Sequence, residues 1–340
     1  MSLQPLTDNY ANQTIAVTGG SGFIGARLLR QLAQSQPKEL RVLVRKSSSL
    51  DLINDLETDV RIAPLEDEKA LDSALEGVDY VFHLAGLTRA KTREALFRVN
   101  AEGTANLAAS VKRVSPSVRR VVLVGSQAAM GPNPQECQEV REDDQPRPVT
   151  WYGESKLAAE KEFKRNLGEL PWSIVRPPGV YGPGEKDFLS MFRMIKNRFS
   201  PVIGFKPKSY SLVFSDDLVD SILAVATSES AVQRTYFAAD PAVYTTNDLL
   251  TAIEGALSRR AWKPPLPEFL VYGLAGFNSL ISPLMSRPPL LNLQKVKELL
   301  PDRWVVSTDR LRDEVGFVCP TPLDEGIAAT AQWYREKGWL

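Results

Sequence analysis

The sequence predicts an α/β fold: a doubly wound parallel sheet with a smaller, mostly helical C-terminal lobe. Three observations carry the prediction. Short β runs alternate with helical stretches through the first half of the chain. A glycine-rich turn joins the first run to the first helix. After Pro177 the alternation loosens into proline-punctuated segments. Alternation of this kind places parallel strands in one sheet, with the crossover helices covering both faces.

Taken in order, Thr14-Ile15-Ala16-Val17 reads as the first strand and Gly22 to Ser35 as a helix. Leu40 to Val44 is the second strand, and Arg61 to Leu65 falls in a third-strand region. Asp79 to Leu84, Arg120 to Val124 and Ser173-Ile174-Val175 are further strands, with a long helix over Tyr152 to Asn166. Pro183 to Lys208 reads as a turn, a helix and a loop. Tyr210 to Phe214 and Thr235 to Ala238 are read as strands returning to the main sheet, and Thr246 as the cap of a helix over Asn247-Asp248-Leu249-Leu250. The expected division is a dinucleotide-binding domain over residues 1–180, with returning segments at about 209–240, and a substrate-binding lobe over 181–208 and 241–340.

The bulk numbers narrow the function class. The chain has 340 residues, enough for one large domain and a smaller one with a sizeable core. Formal net charge is zero, so no basic excess favours nucleic acid. Two cysteines, Cys137 and Cys319, and a single histidine argue against a disulfide framework or a metal site and fit a reducing cytoplasm. Met1 to Gln13 is polar and lacks the apolar core of a leader. Leu266 to Met285 is the most membrane-like stretch, but Pro267, Glu268, Asn278 and Pro283 interrupt it, so no membrane span is expected. Its Leu270, Leu274, Phe277, Ile281 and Leu284 fall at helical spacing. They are expected to pack inside the small lobe; the alternative is a lid that touches lipid.

The turn reads Thr18-Gly19-Gly20-Ser21-Gly22-Phe23-Ile24-Gly25, a G-x-x-G-x-x-G between strand and helix. Glycine at 19, 22 and 25 allows the tight turn and lets backbone approach a pyrophosphate, which the helix N-terminus opening at Phe23 and Ile24 would bind. This is the dinucleotide cradle of a Rossmann domain. Arg45 follows Gly25 by twenty residues, at the end of the second strand, where such a fold reads the adenosine ribose. A carboxylate there would accept from a 2′-hydroxyl. Arg45, with Lys46 and Ser47, offers charge and donors to a 2′-phosphate, so NADP is favoured over NAD.

Tyr152 and Lys156 stand at i and i+4 on one helix face. A free phenol has a pKa of about 10, and a nearby ammonium is expected to lower it toward a useful acid/base range. Tyr152 would then exchange a proton with a substrate oxygen, Lys156 would hold the nicotinamide ribose, and Ser126, just past the strand over Arg120 to Val124, would donate to the reacting oxygen.

With these pieces in order, the chain resembles the extended short-chain dehydrogenase/reductase family over nearly its whole length, and most closely the 3β-hydroxysteroid dehydrogenase-like branch. The matching segments are Thr18 to Gly25, His83-Leu84-Ala85-Gly86, Asn100-Ala101-Glu102-Gly103-Thr104, Ser126, Tyr152 to Lys156, Arg176 to Gly184, Ser215 to Val219 and Gly316-Phe317. The resemblance implies Ser126, Tyr152 and Lys156 as the catalytic trio. It implies that Leu84, Ala85 and Gly86 lie along the cofactor, that Asn100 supports the active-site helix, and that Pro177 to Val180 meet the nicotinamide end. It also implies a homodimer through the helix bearing Tyr152 and its neighbour. The family often has an aspartate against adenine where this chain has Pro64, so Leu65 is left to pack the base.

The resemblance also bears on the reaction. Relatives that eliminate water carry an Asp-Glu pair after the catalytic Ser or Thr; Ser126 is followed by Gln127-Ala128-Ala129. Relatives that epimerise nucleotide sugars often carry an asparagine where this chain has Gly179. The expectation is net oxidation or reduction of a secondary alcohol or ketone on a fairly apolar small-molecule substrate. The alternatives are a nucleotide-sugar epimerase and a non-catalytic NADP-binding sensor or scaffold. Arg89, Lys91 and Arg93 read as a solvated basic loop or as a greeting for an anionic group.

Overall fold

A computed structural model describes residues 8–281 and 292–340. Residues 1–7 of the polar N-terminal stretch, and Pro283, Leu284, Met285, Pro288 and Pro289, lie outside them. The chain opens with β1 (Thr14–Thr18), α1 (Phe23–Gln34), β2 (Glu39–Val44), β3 (Asp59–Ile62), α2 (Glu68–Leu75) and β4 (Tyr80–His83). It continues with α3 (Arg93–Phe97), α4 (Gly103–Val114), β5 (Arg120–Val124), α5 (Trp151–Leu167) and β6 (Trp172–Arg176). Next come β7 (Gly179–Tyr181), α6 (Leu189–Lys196), β8 (Val202–Ile203), β9 (Ser209–Tyr210), β10 (Leu212–Phe214), α7 (Ser215–Thr227) and β11 (Arg234–Phe237). The last part holds β12 (Tyr244–Thr245), α8 (Thr246–Leu257), β13 (Pro265–Leu266), α9 (Glu268–Ile281), α10 (Leu293–Leu299), β14 (Arg303–Trp304) and α11 (Leu323–Glu336).

Seven strands form one parallel sheet in the order β11-β6-β5-β4-β1-β2-β3. Its inner strands are near-continuous apolar runs because both faces are covered there. Alternation along each strand sorts side chains between two cores. Val17, Phe82, Val122 and Val175 meet Leu28 and Leu32 of α1 and Leu218 and Ile222 of α7 on one face. Ala16, Val121, Leu123 and Ile174 meet Leu71, Leu107, Val111 and Phe163 on the other. Each fully buried aliphatic contributes roughly 1.5–3 kcal/mol. Strand order reverses between β1 and β4, and the crevice outside the carboxyl ends of strands at such a switch point is where ligands bind. Register aligns those ends, pairing Thr18 with His83, His83 with Leu123, and Val124 with Val175.

A second body of packing lies beyond the sheet. Phe192 and Ile195 of α6, Leu250 and Ile253 of α8, and Ile327 and Tyr334 of α11 close around Tyr181 and Phe214. Small sheets stitch this region together: β10 with β7, β12 and β14 with β9, and β13 with β8.

Three expectations change. The strand β11 does return to the main sheet against β6, but β10 pairs in parallel with β7 in a separate two-stranded sheet. Gly179 to Tyr181 diverge from the sheet after Pro177-Pro178, and β10 follows them. The cap of α8 is Thr245, one residue earlier than expected. Thr245 has extended φ/ψ, its hydroxyl accepts from Asp248 N–H, and Asp248 reaches back to the Thr245 N–H in a reciprocal box. The third change concerns α9. Among its described side chains the buried ones are Val271 and Ala275, whereas Leu270, Leu274 and Phe277 stand exposed. Helical spacing put these residues on one face correctly and could not say which way that face points. Among the described residues no helix is long and apolar enough to cross a membrane.

Candidate active site

The cradle is built by three glycines, two of which, Gly19 and Gly25, cannot be replaced without collision. Gly19 has φ +72°, and a Cβ there would stand 2.7 Å from the Leu84 carbonyl carbon and from the Ala85 nitrogen. The first turn therefore lies directly against the backbone that leaves β4, which brings Leu84, Ala85 and Gly86 beside it. A Cβ on Gly25 would come within 2.1 Å of the Gly19 carbonyl oxygen. Gly22 N–H closes the turn on that same oxygen at 3.0 Å, and Gly22 itself is exposed. Gly22 caps α1 without a side chain, and the first turn of α1 holds no acid. Its open N–H groups and positive end are thus available to an anion. Phe23 and Ile24 are half-buried: Phe23 stacks under the Arg27 guanidinium, and Ile24 packs into the sheet core.

At the far end of the cradle, Arg45 is exposed just past β2 and makes no ion pair among the described residues. Leu65 lies after β3, packed so closely on α4 that a Cβ at Gly103 would meet it at 2.8 Å, with its carbonyl held by Asn106 Nδ2 at 2.9 Å. His83 is fully buried between the Thr18 hydroxyl at 2.6 Å and the Thr104 hydroxyl at 2.9 Å. Burial pushes it down to about 3, so it stays neutral and serves as a brace.

The chemical end gathers at the carboxyl end of β5. Ser126 caps a short 3₁₀ turn, its hydroxyl accepting from Ala128 N–H at 3.1 Å. Tyr152 occupies the first turn of α5, whose N-terminus is capped by Thr150. Lys156, one turn on, donates to the Val124 carbonyl at 2.7 Å. Asn100 sits in a π-helical turn over Arg98–Glu102, a geometry that recurs at functional sites. Its side chain donates to the Leu87 carbonyl and to Ser155 Oγ, both at 2.9 Å, and accepts from Leu87 N–H at 2.7 Å. Ser155 in turn donates to the Tyr152 carbonyl at 2.8 Å, so Asn100 ties the loop after β4 to the helix turn that carries Tyr152.

The electrostatics depart from the expectation. Burial pushes the Tyr152 phenol up to about 12, with Glu298 adding to the rise and a hydrogen bond to Ser126 opposing it. Burial pushes Lys156 down to about 8, opposed by Glu160. The expected lowering by Lys156 is absent because desolvation dominates both groups and the ammonium is turned to the Val124 carbonyl.

Ser126 and Tyr152 open onto a cavity of about 610 Å³, walled also by Trp151, by Pro177 to Val180 and by Phe188. Behind this wall Arg176 pairs with Glu160 in a buried bridge at 2.6 Å, fixing β6 to α5. At the mouth Arg89 pairs with Asp187 and Arg93 with Glu154, so two of the three basic-loop residues are engaged within the chain. Residues missed from sequence are those of α10: Gln294, Lys295 and Glu298 line the cavity, and Gln294 Oε1 accepts from Trp151 N–H at 3.0 Å. Asn292 before Leu293-Gln294-Lys295 was a cap signal, but nothing in sequence spacing connects it to a site 140 residues earlier.

A parallel sheet with a glycine cradle at its switch point and a Ser/Tyr/Lys group beside it defines a dinucleotide-dependent α/β enzyme. The NAD dependent epimerase/dehydratase family matches residues 15–239, and the chain belongs to that family. It is 30% identical to "Ceramide reductase" of Caulobacter vibrioides over 97% of both chains. It is 26% identical to "Sterol demethylase protein B" of Methylococcus capsulatus, covering 96% of this chain and 100% of the other. The fold superposes on the solved structure of MoeE5 in complex with UDP-glucuronic acid and NAD with a TM-score of 0.76, at 20% identity and covering 95% and 99% of the two chains. The protein is therefore an NAD(P)-dependent enzyme, a reductase or an epimerase. The tight turn that Gly19 and Gly25 permit, at the uncapped N-terminus of α1, suits the cofactor's pyrophosphate.

Proposed function

We propose that the protein interconverts a ketone and a secondary alcohol on a fairly apolar substrate, with Tyr152 passing the proton and NADP(H) as the preferred cofactor. The observation that carries this reading is the Ser126–Tyr152 pair on the wall of the cavity, with the phenol held in its protonated form. When bound, the nicotinamide supplies or accepts the hydride. Tyr152 donates its phenolic proton to the carbonyl oxygen in reduction, and Ser126 donates a hydrogen bond to the same oxygen. Lys156 spends one of three donors on Val124 and keeps two for the nicotinamide ribose. Asn100 and Ser155 are positioning residues that hold the first turn of α5.

In reduction Tyr152 is the proton donor, in keeping with the burial that pushes its phenol up to about 12. Trp151, Phe188, Val180 and Leu96 supply an apolar stretch of a cavity wall that also carries Arg89, Lys91, Asp187, Lys295 and Glu298. Similarity to proteins called ceramide reductase and sterol demethylase protein B supports a lipid ketone. Exposed Arg45 supports the 2′-phosphate.

The test follows absorbance of the reduced nicotinamide with a panel of lipid ketones, NADH and NADPH side by side. Ketone-dependent oxidation of the cofactor with alcohol formed one for one is the expected result. Isomerised nucleotide sugar with no net absorbance change would make the protein an epimerase and overturn the reading.

A further inference from the structure

The outer face of α9 inverts the usual amphipathic pattern. Between Phe269 and Asn278 the helix carries no charged residue. The side facing the protein holds the smaller Val271 and Ala275, packed on Val296 of α10. The side facing out holds Phe269 at 71% exposure, Leu274 at 54% and Phe277 at 60%, with Leu270 and Tyr272 beside them. A helix that is apolar all round is ordinarily buried in a core or a membrane. Two more aromatics extend the patch. Phe205 at 78% and Trp262 at 70% sit on the paired segments that lead into α9, where Gly204 N–H donates to the Leu266 carbonyl at 2.9 Å. Exposed apolar side chains in this number mark an interaction site.

The surrounding charge selects the occupant. In residues 196–206 and 255–277 the exposed charged residues are Lys196, Arg198, Lys206, Arg259 and Arg260 against a single carboxylate, Glu268. Exposed Phe, Leu and Trp on segments whose exposed charge is mainly Lys and Arg is the composition of a surface that enters the headgroup layer of an anionic bilayer. The patch is also continuous with the cavity: α9 packs on α10 through Val271, Ala275 and Val296, and α10 presents Leu293, Gln294, Lys295 and Glu298 to the cavity that Tyr152 lines.

We propose that the outer face of α9, with Phe205 and Trp262, docks the protein on an anionic lipid bilayer, from which the substrate enters past α10. Docking stands on the surface alone; the entry of substrate rests on the ketone/alcohol reading. The test is co-sedimentation of the full chain with vesicles of phosphatidylcholine and phosphatidylglycerol, against phosphatidylcholine alone. The wild type is expected to bind the anionic vesicles, and raised salt to weaken that binding. Replacing Phe269→Ser, Leu274→Ser and Phe277→Ser together should weaken binding by ~10-fold or more, since interfacial affinity scales with the apolar area inserted. A separate charge variant, Arg198→Glu with Lys206→Glu, should abolish the preference for anionic over neutral vesicles. Both variants should keep wild-type turnover of a short, water-soluble ketone and lose turnover of a bilayer-embedded one. No binding to anionic vesicles would overturn the proposal. So would a concentration-dependent dimer that the three serines abolish, which would make the face a contact between copies of the chain. Failure of the wild type to reduce any ketone would reject the proposed function and leave vesicle binding to be decided on its own readout.

Discussion

At neutral pH a phenol near 12 keeps its proton and an amine near 8 is mostly charged, so Tyr152 and Lys156 have complementary forms in the direction of reduction. As pH rises through about 8, Lys156 loses its charge while Tyr152 still holds its proton. Reduction is therefore expected to fall along a limb near pH 8, and Lys156→Arg should move that limb upward because a guanidinium does not titrate there. A pH–rate profile of ketone reduction checks this. On the proposed reading Arg45 sets the choice of cofactor. Arg45→Glu should weaken NADPH by ~10–100-fold, the loss of a charge-assisted contact worth ~1.5–3 kcal/mol, with little effect on NADH. Parallel titrations with the two cofactors measure it. The types and spacing of these residues were legible in sequence, because Tyr-x-x-x-Lys lies on one helix face by geometry. Their protonation was not. Spacing brings Lys156 close to Tyr152 but says nothing of desolvation, or of the Val124 carbonyl that claims the ammonium.

Among elements, the turn from β1 to α1 is the proposed seat of the cofactor. Gly25→Ala would drive a methyl against the Gly19 carbonyl, 2.1 Å away. Overpacking of this kind costs ~1–3 kcal/mol, so a lower thermal midpoint together with loss of nucleotide binding is expected from melting curves with and without cofactor. The strands of the main sheet were readable because burial on both faces turns them into apolar runs such as Thr14-Ile15-Ala16-Val17. Shorter features were not. Three apolar residues over Leu212–Phe214 look alike whether they join the large sheet or β7. Thr245 and Thr246 are chemically equal as caps, and backbone conformation alone chooses Thr245. The apolar period of α9 reads identically for a buried face and an exposed one, so its outward aim appeared only in the structure.

For the whole molecule, the site is a seam. The sheet and α5 contribute Ser126, Tyr152 and the cradle; the region after Pro177 contributes Val180, Phe188 and α10. Arg27 of α1 pairs with Asp216 of α7 and crosses the seam to the Pro183 carbonyl. A ligand seated in the cradle should therefore stabilise the full chain. With cofactor at ~100 times its dissociation constant the gain is about 2.7 kcal/mol, and NADPH should raise the melting temperature more than NADH at equal concentration. Such a seam is hard to read in sequence, because Gln294 and Glu298 meet Tyr152 only after some 140 intervening residues have folded.

The most direct test of the central claim is the single-turnover rate of ketone reduction by Tyr152→Phe, measured beside its cofactor affinity. The account predicts a rate ~100- to 10,000-fold below the wild type, the size of a lost general acid, with cofactor affinity nearly unchanged. Near-normal turnover by the phenylalanine variant would contradict it.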